Sequence, residues 1–137
     1  MRSNFLKGCS ALIWICFWLL AGCASRYPSI PPKELNITSD PHYDEKMAKR
    51  IIKNWFEISN NSDPNFNAGQ VVVSFVLHSD GTVTDADITM NTVGYLPGMT
   101  CLESVLKSSP FPKWPSEMVK KLGNQHACEF TFNYHGQ

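Results

Sequence analysis

No run of apolar residues in this 137-residue chain is long enough to cross a bilayer. The stretch Ala11 to Leu20 is about half of the ~20 residues that a spanning helix needs. An excess of either charge is missing as well. Twelve basic side chains stand against twelve acidic ones, and no basic stripe emerges, which disfavours nucleic-acid binding through phosphate contacts. There is neither an acidic tail nor a polybasic patch for a membrane surface. Gly-rich phosphate loops, CxxC pairs and HExxH spacings are all absent, so no nucleotide or regular metal motif is written here. Repeats and low-complexity runs are absent too, which excludes a repeat architecture.

What the chain does have begins at its N-terminus. Arg2 and Lys7 precede the apolar stretch, and Leu20-Ala21-Gly22-Cys23 closes it. A basic start, a short apolar middle and a small-residue end make an export signal. The closing four residues resemble the lipobox of bacterial lipoproteins. That resemblance implies cleavage after Gly22, with Cys23 lipidated as the new first residue. An ordinary cleaved signal or a short uncleaved anchor is the plainer alternative. Loss of residues 1–22 removes Arg2 and Lys7 and leaves about 115 residues with 10 basic and 12 acidic side chains, enough for one small domain.

Residues 24–39, with Pro28, Pro31 and Pro32, carry no helical period and read as a tether. Fully stretched, these 16 residues reach at most roughly 55 Å. The alternative is an irregular arm, with Leu35 or Ile37 docked on the domain. The domain itself is expected over residues 40–137. Asp40 is a good N-cap and Pro41 suits the first helical position. Tyr43, Met47, Ile51 and Trp55 then recur every four residues, opposite Lys46, Lys49, Arg50 and Lys53. Next comes a hairpin, Gln70 to Leu77 and Thr82 to Met90, turning at Asp80-Gly81. Asp85 and Asp87 share a face of the return strand, as a carboxylate pair or, by preference, as a wet face.

Asn91 to Gly98 reads as a loop. Thr100 and Glu103 then form a capping box that opens a helix through Leu102, Val105 and Leu106 to Pro110. Phe111 to Pro115 is extended, Ser116 to Leu122 forms one or two helical turns, and Cys128 to Tyr134 alternates as a last strand. Outside the signal and Cys23, the cysteines are Cys101 and Cys128. An even pair in an oxidising compartment favours a disulfide. Cys101 at a helix start is also the one candidate nucleophile. His42, His78, His126 and His135 are scattered, without a recognisable base motif, so an enzyme is not expected. Cys101, Cys128 and His126 have no regular zinc spacing, and neither metal nor cofactor is expected.

The order helix, strand, Asp-Gly turn, strand, helix, proline-aromatic segment, strand resembles the C-terminal periplasmic domains of TonB and TolA. The residues that carry the likeness are Val71 to Leu77, Asp80-Gly81-Thr82-Val83, Ile88, Cys101 to Leu106, Phe111-Pro112 and the closing aromatic strand. It covers roughly residues 40–135. It implies an α+β fold, a three-stranded antiparallel sheet packed against two main helices. It also implies protein binding, often by adding an extended peptide to a sheet edge. Phe130, Thr131, Phe132, Asn133 and Trp114 are then the candidate partner contacts. The TolA-like arrangement sets Cys101 and Cys128 toward opposite ends of the sheet and bonds the helix cysteine to the first strand, where this chain has Val71 or a neighbour. Compartment and topology thus disagree on the disulfide.

The expected role is a membrane-anchored envelope lipoprotein that binds an envelope protein or an extended peptide. Ala24 and Ser25 after Cys23 lack the aspartate that retains many such lipoproteins at the inner membrane, which points to the periplasmic face of the outer membrane. The alternatives are a structural or assembly lipoprotein of the pilotin kind, using the basic helix face, and a cysteine-dependent enzyme.

Overall fold

The chain is described by a computed structural model over residues 37–60 and 67–135. The expected signal (1–22), Cys23 and the greater part of the expected tether lie outside the described residues.

Helix α1 (Pro41–Ser59) starts where its punctuation demands. Asp40 Oδ1 accepts the N–H groups of His42 and Tyr43 at 3.0 and 3.1 Å, satisfying two donors that a helix leaves orphaned. Its four-residue stripe of Tyr43, Met47, Ile51 and Trp55 is buried. Strands β1 (Gly69–His78), β2 (Val83–Asn91) and β3 (Gln125–Tyr134) form one antiparallel sheet in the order β2-β1-β3. Val71, Val73, Phe75 and Leu77 of β1 alternate inward, as do Cys128, Phe130, Phe132 and Tyr134 of β3. The helices thus cover one face of the sheet, and the expected α+β architecture is the observed one. A short α3 (Ser116–Leu122) ends at Gly123, which has a positive φ of 79°.

The second main helix departs from expectation. α2 (Tyr95–Ser108) starts five residues before Thr100, so Thr100 is interior and its hydroxyl donates to the Leu96 carbonyl at 3.1 Å. The capping box does not form. Pro97 and Gly98 suggested a loop, yet Pro97 sits in the first turn, where an N–H has no intrahelical acceptor to lose. Gly98 is buried because α2 presses there on Asn91 and Ile88 of β2. Asn91 organises the approach. Its Oδ1 accepts from Val93 and Gly94 N–H at 3.0 and 3.1 Å, and its Nδ2 donates to the Gly94 carbonyl at 2.9 Å.

The proline-aromatic segment is stitched to the hairpin turn. Phe111 N–H donates to the Gly81 carbonyl at 2.7 Å, and Trp114 N–H donates to that of Ser79 at 2.9 Å. The Tyr43 hydroxyl donates to the Pro112 carbonyl at 2.7 Å, which ties α1 to the same corner. Phe111 and Trp114 are both buried, so the corner is part of the core.

Candidate functional site

Among the described residues the sheet has β2 and β3 as its two outer strands, and they are unequal. On β2 the register with β1 slips twice, between Val72 and Val73 and between Ser74 and Val76. Asp85, in the second slip, takes a left-handed backbone with φ 53°. Such bulges bend a strand and break the row of edge donors and acceptors. β3 has none. It pairs with β1 without interruption from Gly69–Tyr134 to His78–Gln125, and among the described residues no further strand lies beyond it, so from Gln125 to Thr131 its outer side is a straight template of backbone groups.

The side chains of β3 sort by parity. Phe130 and Phe132 were candidate contacts, but they are 3% and 1% exposed and belong to the core. Trp114 is likewise withdrawn, at 7%. These three aromatics are corrected from contact residues to core residues: strand alternation turns Phe130 and Phe132 inward, and Trp114 is tucked in where the corner segment is bonded to the hairpin turn. Thr131 and Asn133 remain half-buried on the outer face, beside exposed Glu129 and Ala127. Gln70 Nε2 donates to Asn133 Oδ1 at 2.8 Å across the β1–β3 pair.

A cavity of about 610 Å³ lies along this edge. Its lining takes Ala127, Glu129 and Thr131 from the outer face, Ile37 and Cys128 from the helix side, and Asp85 from across the sheet. Ile37 is held there by a feature the sequence did not disclose. The carboxylate of fully buried Asp44 accepts the Ile37 N–H at 2.9 Å, the Thr38 N–H at 3.0 Å and the Thr38 hydroxyl at 2.6 Å. The packed unit therefore includes Ile37 to Ser39, ahead of the expected boundary at 40, and these last residues of the expected tether are a docked arm. Asp44 lies in the first turn of α1, and only the fold turns it into a clamp.

The cysteines do not pair. Cys101 and Cys128 are free thiols. Cys101 Sγ lies 3.1 Å from the Tyr134 hydroxyl, and Tyr134 is six residues along β3 from Cys128. At ~3.3 Å per residue that is about 20 Å, far beyond the ~7 Å between Cα atoms that a disulfide spans. The nucleophile reading fails for a related reason. Cys101 is interior to α2 rather than at its start, and burial pushes its pKa up to about 12. Burial does the same to Cys128, also to about 12, with the Asp44 charge adding to it. A thiol held protonated in the core is a poor nucleophile. Tyr134 is raised too, by burial first and then by Cys101. Cys128 Sγ approaches the His126 carbonyl at 3.6 Å, not an imidazole. Among the described residues no three His, Cys, Asp or Glu side chains gather as metal ligands, so the Cys101, Cys128 and His126 grouping dissolves.

Asp85 and Asp87 are exposed and locally bonded. Thr84 Oγ1 donates to Asp85 Oδ2 at 2.9 Å, and Asp87 Oδ1 accepts the Ile88 N–H at 2.8 Å. On α1, Lys49 pairs with Glu45 at 2.6 Å, and Lys53 lies 4.0 Å from Glu57. Such exposed i,i+4 pairs are an ordinary solvated face. α2 shows the reverse of a simple amphipathic helix. Tyr95, Leu96, Met99 and Leu106 are exposed, while Cys101, Ser104 and Ser108 are buried. Small side chains admit α1 closely, and Asn54 Nδ2 donates to Ser108 Oγ at 2.8 Å.

With this geometry in view, comparison with known proteins adds one likeness. No family model and no curated protein matches the chain. Among solved structures, the solution structure of the TonB C-terminal domain of Helicobacter pylori is similar, with a TM-score of 0.56 and 19% identity over 80% of this chain and 97% of that domain. The chain thus has the fold of a TonB C-terminal domain.

Proposed function

We propose that this chain is an envelope lipoprotein, anchored through Cys23 at the periplasmic face of the outer membrane, whose domain captures an extended segment of another envelope protein on β3. The observation that carries the reading is the contrast between the two sheet edges. β2 is broken by two bulges, while β3 offers an uninterrupted ladder. A strand added along Gln125 to Thr131 would hydrogen-bond to the outward backbone groups of β3, and side-chain pockets would give selectivity. The fold is consistent with a protein-interaction module, and burial raises the pKa of both Cys101 and Cys128, which makes these two thiols poor nucleophiles.

Two experiments test the two halves of the proposal. Cys23→Ala is expected to move the protein from the membrane fraction to the soluble periplasm; retention in the membrane overturns the lipid anchor. Photo-crosslinking residues at Thr131 and Asn133 are expected to trap a partner in intact cells. Adducts from Lys49 and Lys53 alone would favour the accessory, helix-face role, and none from any of the four would end the binding-module reading.

A further inference from the structure

The edge reading leaves open which extended segments β3 accepts, and the distribution of charge answers that question. The three strands contain no lysine or arginine, while Asp85, Asp87 and Glu129 all lie on them. The eight basic residues of the described chain are carried by α1, α2, α3 and the corner segment, at Lys46, Lys49, Arg50, Lys53, Lys107, Lys113, Lys120 and Lys121. The ion pairs formed among the described residues use Glu45, Glu57 and Glu117 and none of the strand carboxylates. The domain is therefore bipolar, and its acidic pole is the sheet.

Glu129 and Asp85 both line the cavity at the β3 edge. Glu129 sits on the outer face of the edge strand, paired with Ser74, which in turn pairs with Asp87 on the other side. A strand added to β3 would run about 4.8 Å from it, which brings its outward side chains alongside Glu129. A lysine or arginine at such a position meets the opposite charge of Glu129, while Asp85, three strand spacings away on β2, adds only to the negative field of the sheet. On the other face of the same strand, alternate residues meet Ile37 and Cys128, which are apolar and buried.

We infer that the β3 edge selects an extended segment that alternates apolar residues, facing Ile37 and Cys128, with basic residues facing Glu129 within the wider negative field of Asp85 and Asp87. This rests on the edge reading proposed above. Electrostatic attraction to the acidic pole would also steer such a segment onto the sheet rather than onto the lysine-rich helices.

The test uses the full chain in detergent micelles and two labelled eight-residue peptides, one alternating valine with lysine and the other valine with glutamate. Fluorescence anisotropy gives the affinities, and amide shifts of residues 126–131 give the place of binding. The lysine peptide is expected to bind at least about fivefold tighter at low salt, as one or two favourable cross-strand charge pairs provide. In a Glu129→Gln, Asp85→Asn double variant the preference is expected to fall within twofold; asparagine tolerates the left-handed backbone at 85. N-methylation of alternate peptide nitrogens is expected to abolish binding. Equal binding of both peptides, with methylation still abolishing it, overturns the charge selection and leaves the edge reading intact. A preference that survives in the double variant overturns the assignment to these carboxylates. If neither peptide shifts the β3 amides, or methylation has no effect on binding, the edge reading falls and this inference falls with it.

Discussion

The carboxylate of Asp44 holds the arm at Ile37 and Thr38 against the first turn of α1, and its removal is a defined loss. Asp44→Ala would leave two backbone N–H groups and a hydroxyl without their acceptor in a buried position. Leaving such donors unsatisfied costs about 1–3 kcal/mol, so urea unfolding should show a clear fall in midpoint with little change in slope. The two buried thiols make a prediction about pH. Each has a pKa raised from 9.0 to about 12 in the folded state. Below pH 9 both folded and unfolded chains hold these protons, so stability does not depend on them. Between pH 9 and about 12 the unfolded chain loses them first, and stability falls with rising pH by about 1.4 kcal/mol per unit for each thiol. Denaturation midpoints measured from pH 8 to 11 should therefore be flat and then drop, and Cys128→Ala should shrink the drop. Ellman's reagent should find both thiols silent in the native protein at neutral pH and reactive after denaturation.

At the level of elements, the hairpin turn and the corner segment depend on one glycine. Gly81 has φ 89°, and a Cβ there would run into the backbone of Phe111. Gly81→Ala thus combines a left-handed penalty of about 1–2 kcal/mol with displacement of the Phe111 to Trp114 segment. Its unfolding midpoint should fall by more than that of Gly123→Ala, whose Cβ meets nothing within 4 Å. The turn itself was legible, because Asp80-Gly81 between two β-rich runs is strong local chemistry. α2 was legible only from Cys101 onward. Its first turns carry Pro97 and Gly98, which locally favour a loop, and they are helical because β2 packs against Gly98 and Asn91 fixes the chain at Val93 and Gly94, just ahead of the helix. The bulges of β2 were also hidden, since nothing in Thr-Asp-Ala-Asp fixes where a register slips. The arm adds a test at the same level. A chain starting at residue 40 should be less stable than one starting at 36, since only the longer one keeps the contacts of Ile37 and Thr38 with Asp44.

For the whole molecule, the sheet order predicts a gradient of protection. β1 lies between two partners, so its amides should be the slowest to exchange with deuterium. Alternate amides of β3 face away from β1 and should exchange quickly, then slow when an extended peptide is added. Protection of all β3 amides in the free protein would mean that the edge is already covered. The α+β fold, the caps of α1, the alternation of β1 and β3 and the likeness to TonB-type domains could be read from the chain, because each is written in local periodicity or turn chemistry. Which aromatics face inward followed from the same alternation in Phe130 and Phe132, yet their role did not, since a buried and a binding aromatic have the same pattern. The sequence by itself determined the elements, their order and the acidic character of the strands. Only the tertiary structure decided that Cys101 and Cys128 stand apart, that Asp44 clamps the arm and that the β3 ladder is regular while the β2 ladder is bulged. Those outcomes depend on contacts between residues distant in the chain, and no local pattern encodes them.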